Sequence, residues 1–266
     1  MVINGDLSFP IEELEYFLLI LTRVSMFFFA APFFSRREVP QMVRVSFALL
    51  ISFMFYEAIT PHMYVEYSTI LDYSILVLKE AITGVVIGLV ANVTMQIAFF
   101  AGQIVDTNIG FSMAAQMDPA TQQNVTVTGQ FYSYAFILIF MVSGQHRWLV
   151  QAMAEMFQLI PLGKSVFHMD AAYNSVLSLL LNYVMLGFRI GLPIFCVALL
   201  TNGILGIMAK VSPQMNMFAI GVQLKALMGL GILVLTVRML PDAASLLFDE
   251  MHRVVASFVE VMGGTA

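Results

Sequence analysis

Apolar positions along this chain fall in long unbroken runs instead of alternating with polar ones. The runs cover about Leu14 to Phe34, Met42 to Thr60, Tyr73 to Phe100, Val127 to Val142, Ala171 to Leu200 and Phe218 to Leu240. Each is long enough to predict a helix, and Pro32, Pro61 and Pro241 mark three of the ends. Pro193 is expected to break the fifth run. Between Trp148 and Ile160 the pattern changes: Leu149, Met153, Met156, Phe157 and Ile160 recur at helical spacing, with Gln151, Glu155 and Gln158 between them. That piece predicts an amphipathic helix too short to span a bilayer. A short amphipathic helix is expected again from Asp242, fading at Gly263-Gly264.

Two stretches interrupt the runs. Ala101 to Val125, AGQIVDTNIGFSMAAQMDPATQQNV, predicts a loop between the third and fourth runs, and Thr201 to Asn216 a second irregular connection. The first is long for a linker between packed helices. It also carries its own apolar side chains: Ile109, Phe111, Met113 and Met117. Such a cluster needs something to cover or to fill.

Composition changes the class but not the elements. Hydrophobic residues make up 60% and charged residues 11% of 266, with a mean hydropathy of +0.88. Globular chains carry about 25% charged residues, so an all-α, multi-helix membrane-associated protein is expected. The N-terminal stretch MVINGDLSFPIEELEYF has no Lys or Arg and three Glu. That is unlike a signal-peptide n-region, so the first apolar segment is expected to be retained. Net charge is -5, with no basic cluster suited to nucleic acid.

Charge inside apolar runs is costly. Arg23, Lys79, Glu80, Arg189, Lys225 and, nearer the run ends, Glu57 and Arg238 all lie within or beside such runs. Each Arg, Lys or Asp at a helix centre costs roughly 2.5–3.5 kcal/mol in lipid on insertion scales. Arg189 and Lys225 lie deep enough to predict a protein neighbour or a watered path, which points to a chain that sits among partner subunits. Gly84-xxx-Gly88 and Gly187-xxx-Gly191 agree, since small residues at that spacing let helices approach closely. The positive-inside rule places the Arg36, Arg37, Arg44 turn in the cytoplasm.

Catalysis finds no support. The chain lacks HExxH, GxSxG and GxxxxGK[ST], and its His62, His146, His168 and His252 stand in separate segments. Cys196 is the single cysteine, so no disulfide or cysteine metal site is expected. Asp106 and Asp118 are read as solvated loop carboxylates. No enzyme, metal or cofactor is expected.

Several blocks together resemble the FliR family, the export-gate subunits of flagellar type III secretion, which are related to the SctT subunits of injectisomes. They are Ala31-Pro32-Phe33-Phe34-Ser35 with Arg44; Lys79-Glu80 with Gly84 and Gly88; AGQIVDTNIGFSMAAQMDP at 101–119; and LLTNGILGIMAKVSPQMNMFAIGVQLKALMGL at 199–230. They span nearly the whole chain. The resemblance implies a non-enzymatic inner-membrane subunit of the flagellar basal body with long, bent or hairpin helices. It implies a FliP-like part over about 1–170 and a FliQ-like part over about 171–266. It further implies partnership with FliP, FliQ and FlhB homologues, and passage of unfolded export substrates.

Within that frame Ile109, Gly110, Phe111, Ser112, Met113, Met117, Asp118 and Pro119 are expected to form part of a channel plug. An apolar constriction holds back ions by dewetting, and methionines repack around irregular shapes. Lys79, Glu80, Arg189, Pro213, Gln214, Asn216 and Lys225 are expected at subunit contacts or as buried polar groups. Two other functions fit parts of the pattern. A small-molecule secondary transporter would use Pro193 beside Arg189 as a broken helix but leaves the Met/Phe connection without a role. A scaffold without a conduit differs only in where that connection faces.

Overall fold

Helical stripes set the architecture. In the computed structural model the described residues are 11–36, 38–60, 67–111, 116–117, 124–166, 168–212, 214 and 217–264, with backbone alone at 116–117, 124–125 and 217–219. The helices are α1 (Ile11–Ala30), α2 (Gln41–Ala58), α3 (Ile70–Ile109), α4 (Val127–Val142), α5 (Gln145–Leu159), α6 (Met169–Val211), α7 (Met217–Thr236) and α8 (Leu240–Gly263). A 3-10 turn, Val237–Met239, precedes α8. Two short strands, β1 (Gln116–Met117) and β2 (Asn124–Val125), pair antiparallel between α3 and α4.

The chain divides into two units, residues 1–92, 147–175 and 253–266 against 93–146 and 176–252, so that α3, α6, α8 and, by its first two residues, α5 contribute to both. In the first unit α1 buries Tyr16, Leu19, Ile20, Arg23, Val24, Phe27 and Phe28. That three-and-four spacing is one face of a helix. α3 answers with a period of four. A Cβ on Gly84 or Gly88 would meet the backbone oxygen of Arg23 or Phe27 at under 3.0 Å, so only glycine lets α1 approach this closely. One turn further, Asn92 Nδ2 donates to Ala30 O at 2.9 Å and to Ser35 Oγ at 2.7 Å. α2 packs on α1 through rings: Phe47 stacks on Phe34 at 5.1 Å and meets Phe28 edge-on at 5.1 Å. α5 buries Leu149, Ala152, Met153, Met156 and Phe157, and Phe157 reaches Phe55 at 5.4 Å.

In the second unit, Gly102 of α3 meets the backbone of Gly129 in α4, again at a distance no Cβ tolerates. Gly187 of α6 lies under the Phe100 ring, and Phe140 of α4 packs edge-on against Phe248 of α8 at 5.7 Å.

Among the described residues four stretches are long and apolar enough to cross a membrane: α2, α3, α6 and Ile220–Gly263; counting the bent α4–α5 pair as one span makes five. The protein is a multi-pass helical membrane protein. At about 1.5 Å per residue the 40 residues of α3 extend about 60 Å, and the 43 of α6 slightly more. A hydrocarbon core is about 30 Å thick. Both helices therefore reach well beyond one bilayer thickness while staying apolar.

Four expectations need correcting. α3 continues through residues 101–109 because Ala98, Ala101, Val105 and Ile109 extend its buried stripe. Its polar residues are satisfied by the helix itself: Thr107 Oγ1 donates to Gln103 O at 2.8 Å and Asn108 Nδ2 to Ile104 O at 2.6 Å. Asp106 is accordingly a fully buried helical residue and not a solvated loop carboxylate. Likewise α6 runs through Pro193 and through Thr201-Asn202-Gly203 to Val211. Proline deletes one bond at its own N–H, which a long apolar helix with packed neighbours tolerates, and Thr201 Oγ1 bonds back to Val197 O at 2.8 Å.

Candidate functional site

The root of the α3–α4 connection is built from residues of the second unit. α3 ends at Ile109, whose side chain is buried against Gly229 of α7, where a Cβ would overlap it. Gly110 follows with φ of 85°, the left-handed conformation that stops a helix and that side chains with a Cβ resist. Space around Gly110 is open, so backbone angle and not crowding requires glycine there. Phe111 comes next, half-buried. The chain re-enters at Thr126, in extended conformation, as the N-cap of α4.

Asp106 ties the two ends together. Its Oδ2 accepts the backbone N–H of Thr128, in the first turn of α4, at 2.8 Å. A carboxylate at that position satisfies an orphan donor and faces the positive end of the helix dipole. Thr126 occupies the usual capping position but makes no side-chain cap bond. Within the connection β1 pairs with β2 in the register Gln116↔Val125 and Met117↔Asn124. Of the residues expected in a plug, Ile109, Gly110 and Phe111 are described and the backbone of Met117 lies in β1; Ser112, Met113, Asp118 and Pro119 lie outside the described residues.

Ile109 also borders a shallow crevice with Ile194, Ala198, Thr201 and Lys225. Lys225 is half-buried, one turn before Gly229 on the same face of α7. Arg189 and Gln214 are exposed, and Pro213 and Asn216 lie outside the described residues.

The first unit holds the other charged group. Glu80 and Arg23 are both completely buried and form an ion pair through Oε2 and Nε. Arg23 Nη1 donates to Ile160 O at 2.8 Å, and its guanidinium lies over the Phe157 ring at 4.7 Å. Glu80 Oε1 accepts the Gly163 N–H at 2.8 Å. Three segments thus meet at one pair, whose cost of desolvation is offset by three further contacts. Lys79, its neighbour, is half-exposed. The pairing of Arg23 and the burial of Asp106 were not read from the sequence, although both residues fall in phase with the buried stripe of their helix. Among the described residues no group of three His, Cys, Asp or Glu is placed to hold a metal ion.

Comparison with known proteins adds the family. The family described as bacterial export proteins, family 1, matches residues 14–251. The flagellar biosynthetic protein FliR of Bacillus subtilis (strain 168) is 28% identical over 262 residues, covering 95% of each chain. FliR of Escherichia coli (strain K12) is 28% identical over 246 residues, covering 90% of each. FliR of Aquifex aeolicus (strain VF5) is 27% identical over 252 residues, covering 94% of this chain and 95% of its own.

Proposed function

The chain belongs to the bacterial export proteins, family 1, as a member of the FliR family, and from that premise we propose that it is a non-enzymatic subunit of the flagellar type III export gate. It assembles in the inner membrane with FliP, FliQ and FlhB homologues, and with FliP and FliQ it forms and plugs the conduit through which unfolded substrates leave. About residues 1–170 make the FliP-like part and 171–266 the FliQ-like part.

One observation carries the conduit reading. The α3–α4 connection leaves a buried anchor at Ile109, turns at once on Gly110 and returns to a capped helix start at Thr128. Its two ends are held by the protein, while the intervening stretch carries Phe111, Met113 and Met117, the side chains suited to an apolar constriction. Helix length supports an assembly: apolar residues on α6 such as Leu180, Leu181, Met185, Leu199 and Leu200 are exposed in the single chain. A helix of about 65 Å has more apolar length than lipid tails can cover. Partner subunits cover the remainder, and Lys79, Arg189, Pro213, Gln214, Asn216 and Lys225 lie among those contacts.

Deletion of residues 110–116 tests the plug. In an assembled complex the deletion is expected to raise ion leak across the membrane severalfold. An assembled complex that stays as tight as the parent excludes the plug.

A further inference from the structure

We infer that Asp106 is the positioning residue of the plug, a carboxylate on α3 that caps α4 and so fixes where the α3–α4 connection leaves and re-enters the helices. This rests on the reading of that connection as part of the plug. Asp106 is 0% exposed, a position where a carboxylate is retained at a cost. Among the described residues it has no cationic partner; the α4 amide of Thr128 is the donor to Oδ2, and Oδ1 has none. Unlike Glu80, it is therefore not held by an ion pair, and its one bond goes to the element that starts where the connection ends.

Among the described residues the cap has no substitute. Thr126 makes no side-chain cap bond, and the buried hydroxyls of Thr126 and Thr128 have no partner. Behind the cap, Gly102 and Gly129 bring the two backbones into contact one turn from Asp106. The contact of glycines sets the approach, and the carboxylate sets the rotation and the start of α4. Without it the first turn of α4 has an unsatisfied donor facing a buried acceptor's place, and frays. Thr126 then no longer marks the return point, and the span from Gly110 to Thr126 lengthens. A group that acts in this way positions the connection without touching what passes.

The test uses the assembled complex with Asp106→Ala and Asp106→Asn, beside the deletion of 110–116. Three quantities are measured: recovery of the complex, ion leak, and hydrogen exchange at the α4 N-terminus. With Asp106→Ala the complex is expected in parental amount, with leak raised severalfold toward that of the deletion. The Thr128 amide should exchange about fivefold faster, the factor equivalent to one capping bond. Asp106→Asn keeps an oxygen for that amide and should stay close to the parent in both readouts. Loss of the complex with Asp106→Ala overturns the inference, because the residue would then serve core stability. So does an unchanged leak, or an Asn variant as leaky as the Ala variant. If the deletion leaks and Asp106→Ala does not, the positioning role alone falls. If the deletion itself stays tight, the plug reading falls first.

Discussion

The two units handle charge in opposite ways. In the first, Arg23 and Glu80 sit at 0% exposure, each with its charge paired and further polar or ring contacts around it. In the second, Asp106 is equally buried but has a single amide, while Arg189 stands exposed on α6 amid Met185, Phe188 and Leu192. The difference lies in phase. Arg23 falls in the buried three-and-four stripe of α1, and Glu80 starts the period-four row of Gly84, Gly88 and Asn92 on α3. Arg189 falls two residues from Gly187 and two from Gly191, on the other side of the helix from that stripe. A charge in an apolar run is therefore not one kind of signal. In phase with the core it is buried within the chain, paired as Arg23 and Glu80 are or held by one amide as Asp106 is; out of phase it is left for a neighbour.

The comparison breaks first at the ion pair. Arg23→Ala leaves Glu80 buried without a cation and should cost roughly 3–5 kcal/mol, read as lost accumulation of the complex or a large fall in its unfolding temperature. Removing both charges with Arg23→Met and Glu80→Leu should recover most of that loss, because it is the unpaired charge that is expensive. A double variant no better than the single one would show that the bonds to Ile160 and Gly163, and not the pair, hold these segments. Gly84→Ala acts on the same contact without touching charge. Its methyl meets a helix carbonyl that cannot rotate away, so a loss of about 1–3 kcal/mol is expected in the same assay.

Much of this was legible in the sequence. Val127–Val142 is bounded by polar residues on both sides, and its helix was expected with those limits. The glycine pair at 84 and 88 pointed to a close helix contact, which the backbone of α1 supplies. What was hidden depended on self-satisfaction and on long-range partners. Thr107, Asn108 and Thr201 look like loop formers, yet each hydroxyl or amide bonds back to its own helix. Reading them as breakers shortened α3 and α6. The Arg23–Glu80 pair joins residues 57 apart, which no local pattern reveals. The signal that was available is phase: checking each charge against the buried stripe, instead of against its depth in the run, singles out Arg23, Glu80, Asp106 and Lys225 and sets Arg189 aside.

Smaller effects sharpen the contrast. Asn92→Leu removes the bonds to Ala30 and Ser35 at the far end of the same row and should cost about 1 kcal/mol. Arg189→Leu should have the smallest effect on the chain's own fold, within about 0.5 kcal/mol, because the side chain is exposed and outside the packed stripe. Its consequence belongs to the assembly. A guanidinium held among apolar side chains must meet an anionic or hydrogen-bonding group on a partner subunit to offset desolvation. Removing it leaves that partner group unpaired, so co-purification of the partner subunits should fall while the amount of the chain itself does not. Arg189→Lys should restore only part of the recovery, since an ammonium lacks the planar fork. If Arg189→Leu instead increases membrane insertion and leaves the complex intact, the residue faces lipid. The contrast between the two units would then be one of tolerated cost and not of contact.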